Sequence, residues 1–184
     1  RTLSFAVMTA GRVSLPSGQI IACDPLTAGD RAAFIQTVLP GRYDVDLALM
    51  RTEIGVEKVA MARIKFTSKQ PAVWVMALHK GENPALLKPG GFFGYQSDSG
   101  TGAFMDINAA SLADFAHLDD IDALLVELTS NYQPHRYWME QPLDRRHNVV
   151  MFSSGDGAGS YASYFGIDDE GDVCALVTDF QLVQ

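Results

Sequence analysis

The stretch VVMFSSGDGAGSYASYFGIDDEGDVCALVTDF, residues 149–180, consists of short apolar runs cut by two turn-forming clusters. Glycine and aspartate supply the positive-φ and side-chain-capped conformations of tight turns, and β-branched and aromatic residues favour the flanking strands. The stretch therefore predicts three strands in an antiparallel meander, joined through SSGDGAGS and IDDEGD.

Similar signals recur toward the N-terminus. RTLSFAVMTA (1–10) reads as a first strand, Pro16-Ser17-Gly18 as a turn, and QIIAC (19–23) as a strand ended by Asp24-Pro25. Asp30 is placed to cap a short helix over residues 31–38 that stops before Pro40-Gly41. In RYDVDLAL (42–49), Tyr43, Val45, Leu47 and Leu49 alternate with Arg42, Asp44 and Asp46, the period of a half-buried strand. EKVAMARIKF (57–66) alternates in the same way. AVWVMAL (72–78) is almost continuously apolar and predicts a central strand covered on both faces. Residues 79–91 read as a loop, FFGYQ and AFMDI as short strands, and SDSGTG as a turn.

From Ser111 to Thr129 the period changes. Leu112, Phe115, Leu118, Ile121, Leu124, Leu125 and Leu128 recur at three- and four-residue spacing, with aspartates between them. This predicts an amphipathic helix over residues 111–129, capped by Asn108 or Ser111. Residues 132–146, with two prolines and three aromatics, read as an ordered loop on the body. The expected fold is mainly β (α+β): packed antiparallel sheets, sandwich-like or strongly curled, in a single domain spanning residues 1–184.

Charge and size narrow the function classes. At 184 residues the chain can bury a sizeable core, and its formal net charge of −8 argues against a nucleic-acid backbone as partner, since phosphate binding needs a basic face. No apolar run reaches the roughly 18 residues that span a bilayer. Cys23 and Cys174 sit among apolar neighbours and form neither a disulfide framework nor a zinc site. The chain starts at Arg1, so the sequence leaves a cleaved leader open, and the cytoplasm is the default location.

Candidate chemistry is sparse. The SGDGAGS loop lacks the lysine and following helix of a phosphate-binding loop. Asp168, Asp169, Glu170 and Asp172 surround Gly171 without the spacing of a calcium loop. His79, His117, His135 and His147 show no metal-ligand spacing, and no metal or cofactor is expected. Asp24, Asp98, Asp106 and Asp179 stand at strand ends. They are the candidate catalytic set if the chain is a metal-dependent or acid/base hydrolase, and otherwise serve as turn caps. Trp74, Tyr137, Trp138 and Phe165 suit a core as well as a ligand pocket.

LPSGQIIACDPL (15–26), PGRYDVDL (40–47), SDSGTGAFMD (97–106) and GDGAGSYASYFGIDDEGDVCALVTDF (155–180) together resemble the bacterial family known as domain of unknown function 4241. The chain departs from that pattern at Ser97, where the family has a hydrophobic residue, and at Phe165, where tryptophan is common. The tract after GDG is also longer. The resemblance implies a bacterial cytoplasmic protein and carries over no catalytic residue. Most of its motifs are turns, which a β fold needs to fix its registers.

The first functional expectation is a non-catalytic protein-binding domain, of the immunity type, that neutralises a basic toxin or effector. The residues expected to meet a basic protein partner are Tyr132, His135, Tyr137 and Trp138 of the aromatic loop, and Asp156, Asp168 and Asp169 of the acidic turns. The alternative is the hydrolase using the four aspartates. A third option is an oligomerising module built on residues 132–138.

Overall fold

The computed structural model describes residues 5–27, 31–113, 126 and 136–183. Among the described residues about half are strand and 5% helix. The strands are β1 (Phe5–Leu15), β2 (Ile20–Cys23), β3 (Gly41–Arg51), β4 (Glu57–Lys65), β5 (Val73–Met76), β6 (Tyr95–Ser97), β7 (Thr101–Asp106), β8 (Trp138–Pro142), β9 (Asn148–Ser153), β10 (Gly159–Ile167) and β11 (Val173–Asp179). They form two antiparallel sheets packed together and not closed into a barrel. The larger sheet runs β1-β3-β4-β11-β10-β5, with β6 beside another part of β10. The smaller runs β2-β7-β9-β8.

The larger sheet follows the expected alternation, with two shifts of phase. Val45, Leu47 and Leu49 of β3 face the core opposite Ile64, Ala62 and Val59 of β4. A bulge between Ala48 and Leu49 turns Val59 inward, where strict alternation would turn it out. A second bulge in β1, between Thr9 and Gly11, lets Met8 and then Val13 and Leu15 all reach the core. The eleven residues of β1 therefore form one continuous strand, longer than the stretch ending at Ala10 that its sequence predicts.

The smaller sheet is buried on both faces. Every residue of β2, β7 and β9 is buried. Ile20, Ala22, Phe104, Val150 and Phe152 face the larger sheet, while Ile21, Cys23, Ala103, Met105, Val149 and Met151 form a second apolar layer. Runs such as IIAC and VVMF are uniformly apolar because both sides are covered.

Three expectations are corrected. AVWVMAL is not a central strand: β5 lies at the edge of the larger sheet, and Val73, Trp74 and Val75 stay 51%, 46% and 44% exposed. A uniformly apolar run shows that both faces are water-averse, but it does not show that anything covers them. Residues 31–38 form no helix. They run without regular structure apart from a bridge from Thr37 to Gln19, and Phe34 and Val38 donate backbone bonds to Ile20 and Gly18. Gly18 (φ +74°) permits this approach, because a Cβ there would lie 2.1 Å from the Val38 carbonyl oxygen. The C-terminal region is not one meander. SSGDGAGS carries the chain from β9 in the smaller sheet to β10 in the larger, and only β10 and β11 form a hairpin.

The predicted helix over 111–129 lies outside the described residues, except for a turn at 111–113 and helical Val126. A short 3-10 helix at Ile107–Ala109 precedes that turn. Of the 132–146 segment, residues 132–135 lie outside the described residues, and 138–142 form β8 rather than loop, pairing with β9 from Trp138↔Phe152 to Pro142↔Asn148.

A half-buried polar staple joins the sheets. Glu140 of β8 accepts bonds from the Arg12 amide (2.9 Å), the Asn148 side chain (2.9 Å) and Arg42. Asn148 also accepts from the Ser14 amide and donates to the Arg12 carbonyl. Gly11 makes room, since a Cβ there would lie 2.8 Å from Glu140 Oε2.

Burial pushes the Glu140 carboxyl up, but these donors outweigh it and hold it below the ordinary glutamate value. Asp144, in the β8–β9 turn, is pulled down to about 2 by His147 and two backbone amides. A carboxyl depressed in the folded state stabilises above its unfolded pKa and loses that contribution as pH falls through the folded one. Stability should therefore drop as pH falls from about 4.5 to about 2. In an acid titration followed by circular dichroism, Glu140→Gln should flatten this dependence; an unchanged profile would count against the staple. Burial also raises both thiols, that of Cys23 to about 12. At about pH 8, where ordinary thiols are partly ionised, neither should react with a thiol reagent until the protein is unfolded. Rapid labelling of the native protein would contradict the described packing.

Candidate functional site

β2 and β7 pair from Ile20↔Asp106 to Cys23↔Ala103, so Asp24 and Asp106 occupy opposite ends of one ladder. Each carboxylate closes a turn belonging to the other strand. Asp24 accepts from the Ser99 amide (2.8 Å), the Ser99 hydroxyl (2.7 Å) and the Leu26 amide (2.9 Å), with Ser97 Oγ 3.3 Å away. Asp106 accepts from the Ser17 amide (2.9 Å), the Ser17 hydroxyl (2.7 Å) and the Asn108 amide (2.9 Å). Both aspartates are almost fully buried, and these donors compensate for the loss of water.

The turn after β6 is gripped from two further sides. Tyr137 donates its hydroxyl to the Gly100 carbonyl (3.0 Å) and meets Thr101 Oγ1 at 2.6 Å, while the Ser154 amide donates to the same Gly100 carbonyl. A Cβ on Gly100 would lie 3.2 Å from Gly157 Cα, so the SGTG and GDG turns pack backbone against backbone. The motif segments ending at Asp24, starting at Ser97 and starting at Gly155 thus meet at one end of the molecule.

The four strand-end aspartates do not converge. Asp24 and Asp106 are separated by four residues of ladder, about 13 Å. Exposed Asp98 contacts Gln96 at 3.4 Å. Asp179 lies in the larger sheet opposite Met61 and Ala162, and caps the Gln181 amide. Among the described residues no group of three metal-ligating side chains could hold an ion. A cleft of about 190 Å³ beside Asp24 is lined by Thr27, His79, Glu82, Tyr95 and Gln96. There the His79 ring stacks on Phe34 and faces Glu82 at 3.3 Å.

The acidic corner lies elsewhere, at the β10–β11 turn. Asp168 is an internal cap whose Oδ1 accepts from the Glu170 and Asp172 amides, both at 2.9 Å. The Asp172 amide is the main cause holding its carboxyl below the usual range, and Lys69, 3.2 Å away, adds to it. Lys69 also binds Glu170 at 2.7 Å. Asp169 and Asp172 remain exposed. This corner adjoins the open edge of β5, since Ile167 pairs with Val73 and accepts from the Ala72 amide. β10 occupies one edge of β5, and among the described residues no strand occupies the other.

A family model described as a protein of unknown function, DUF4241, matches residues 13–178. The chain belongs to this family. No curated protein and no solved structure matches it. Within this DUF4241 chain, the remaining sequence candidates fall apart spatially. Tyr137 is bonded into the Gly100 turn, and Trp138 packs against the core with Arg136 stacked 5.4 Å over its ring. Asp156 pairs with Lys58. Tyr132 and His135 lie outside the described residues. Sequence reasoning missed the exposed edge Val73–Val75. The signal available in the sequence was Pro71 just before the run, since proline favours strand starts and edges.

If the aspartates work as turn caps, their removal should follow burial. Asp24→Ala strands two amides and two hydroxyls, and should destabilise the protein by about 3 kcal/mol in urea unfolding. Asp98→Ala should stay within about 0.5 kcal/mol of the parent. Equal effects at the two positions would refute the capping role.

Proposed function

We propose that this chain is a non-catalytic protein-binding domain of the immunity type, acting in the bacterial cytoplasm, that neutralises a basic toxin or effector. The partner lays an extended segment along the free edge of β5. The observation that carries this reading is one strand edge, half-exposed at Val73, Trp74 and Val75, running directly into the carboxylate corner at Asp168–Asp172. Globular proteins normally shield such an edge with charge, proline or a covering loop, because its unpaired amides and carbonyls recruit another strand. Added strands gain affinity from main-chain bonds and specificity from alternate side-chain contacts.

Charge favours a basic occupant. The chain carries a net charge of −8, and Lys69 is the cation paired with the corner carboxylates Asp168 and Glu170. Asp169 and Asp172 are left to steer a cationic segment toward the apolar edge. The hydrolase reading draws no comparable support, since Asp24 and Asp106 commit their oxygens to turn donors.

The test is capture from the native host at low salt, followed by binding kinetics with the recovered protein. Asp169→Lys/Asp172→Lys should slow association by about tenfold or more at low salt, and the difference should shrink as salt is added. Val73→Lys/Val75→Lys should speed dissociation. Failure to recover a basic partner, or a partner indifferent to both variants, would defeat the proposal.

A further inference from the structure

The acidic chain has one face of opposite character. Arg12, Arg42, Arg145 and Arg146, four of its 14 basic residues, gather where β1, β3 and the β8–β9 turn meet. A hollow of about 340 Å³ opens there, and its charged and titratable lining is Arg42, Glu140, Asp144, Arg145, Arg146 and His147.

The neighbouring carboxylates are already engaged. Glu140 holds the Arg12 amide, Asn148 and Arg42. Asp144 accepts from the Arg146 and His147 amides at 2.8 and 2.7 Å, and meets His147 Nδ1 at 2.9 Å through either oxygen. Asp44 pairs with Arg12 at 3.1 Å. The guanidinium groups of Arg145 and Arg146 have no ion-pair partner among the described residues, although both line the hollow.

The backbone that presents them is braced. The Leu143 and Asp144 amides donate to the His147 carbonyl, and the Ser14 hydroxyl donates to the Arg146 carbonyl at 2.6 Å. A braced turn that offers two uncommitted guanidinium forks suits an oxyanion, since such forks match phosphate oxygens in pairs. The volume is at the small end for ligand pockets, and suits a phosphate or diphosphate group on a small organic body.

We infer that this hollow is a binding site for a small phosphate-bearing molecule, held by Arg145 and Arg146 with Arg42 at its wall. The site is distinct from the β5 edge and independent of any protein partner. Glu140 and Asp144 also line the hollow, but Glu140 is held by the Arg12 amide, Arg42 and Asn148, and Asp144 by two backbone amides and His147. The guanidinium groups of Arg145 and Arg146 are left to meet an anion, and more remote carboxylates are screened over a Debye length of about 10 Å.

The test is a titration with inorganic pyrophosphate at constant ionic strength, followed by amide NMR shifts. Inorganic phosphate and vesicles of anionic lipid serve as comparison probes. Saturable shifts confined to residues 12–14, 42 and 143–148 are expected, with affinity falling about tenfold or more in Arg145→Ala/Arg146→Ala. Both side chains are exposed, so the variant should fold, and its unperturbed spectrum elsewhere verifies this. Non-saturating or scattered shifts, equal affinity in the variant, or binding of lipid vesicles alone would overturn the inference.

Discussion

The fold depends on two buried carboxylates that close each other's turns. β2 and β7 sit in a sheet covered on both faces, where the polar groups at strand ends have little access to water. Asp24 and Asp106 satisfy those ends from within, each binding a serine amide and its hydroxyl on the turn beside the partner strand. A buried carboxylate that accepts several hydrogen bonds is stabilising, whereas the same group without donors would be strongly unfavourable. This constraint ties PSG to the end of β7 and SDSG to the end of β2, and so sets the register of the smaller sheet. The glycine turns at Gly100 and Gly157 then stack on that frame, with Tyr137 bonded to the Gly100 carbonyl and Tyr161 to the Gly157 carbonyl.

Much of the architecture was legible because it is local. RYDVDLAL and EKVAMARIKF alternate, and they do pair as β3 and β4 with Val45, Leu47 and Ile64 inward. PSG, DP and DEG are turns or strand ends as read. What the residues could not reveal depends on distant neighbours. Whether VWVM is a centre or an edge is decided by what stands on its far side, not by its own side chains. The inward turn of Val59 follows from a bulge that leaves no mark in an Ala-rich strand. The bonds of Asp24 reach across 75 positions to Ser99. Spacing within one segment carries no trace of such a contact.

Electrostatically the molecule is segregated rather than uniformly negative. Carboxylates near the β8–β9 turn are absorbed into backbone capping, leaving guanidinium groups outward. At the β10–β11 turn Asp168 is absorbed in the same way, but its neighbours Asp169 and Asp172 stay outward and negative. The same capping chemistry therefore yields surfaces of opposite sign, depending on which residues flank the cap.

The position of β11 in the larger sheet has a consequence for synthesis. It follows the other described strands in order along the chain, yet it lies between β4 and β10, and both pair with it along most of its length. While the ribosome is still adding residues 173–179, the β1-β3-β4 ribbon and the β10 region cannot be joined. The inward side chains of β4 then face solvent with an unfilled flank. Such a chain folds late rather than progressively, and its nascent form presents a sticky margin to chaperones until that strand emerges and is inserted.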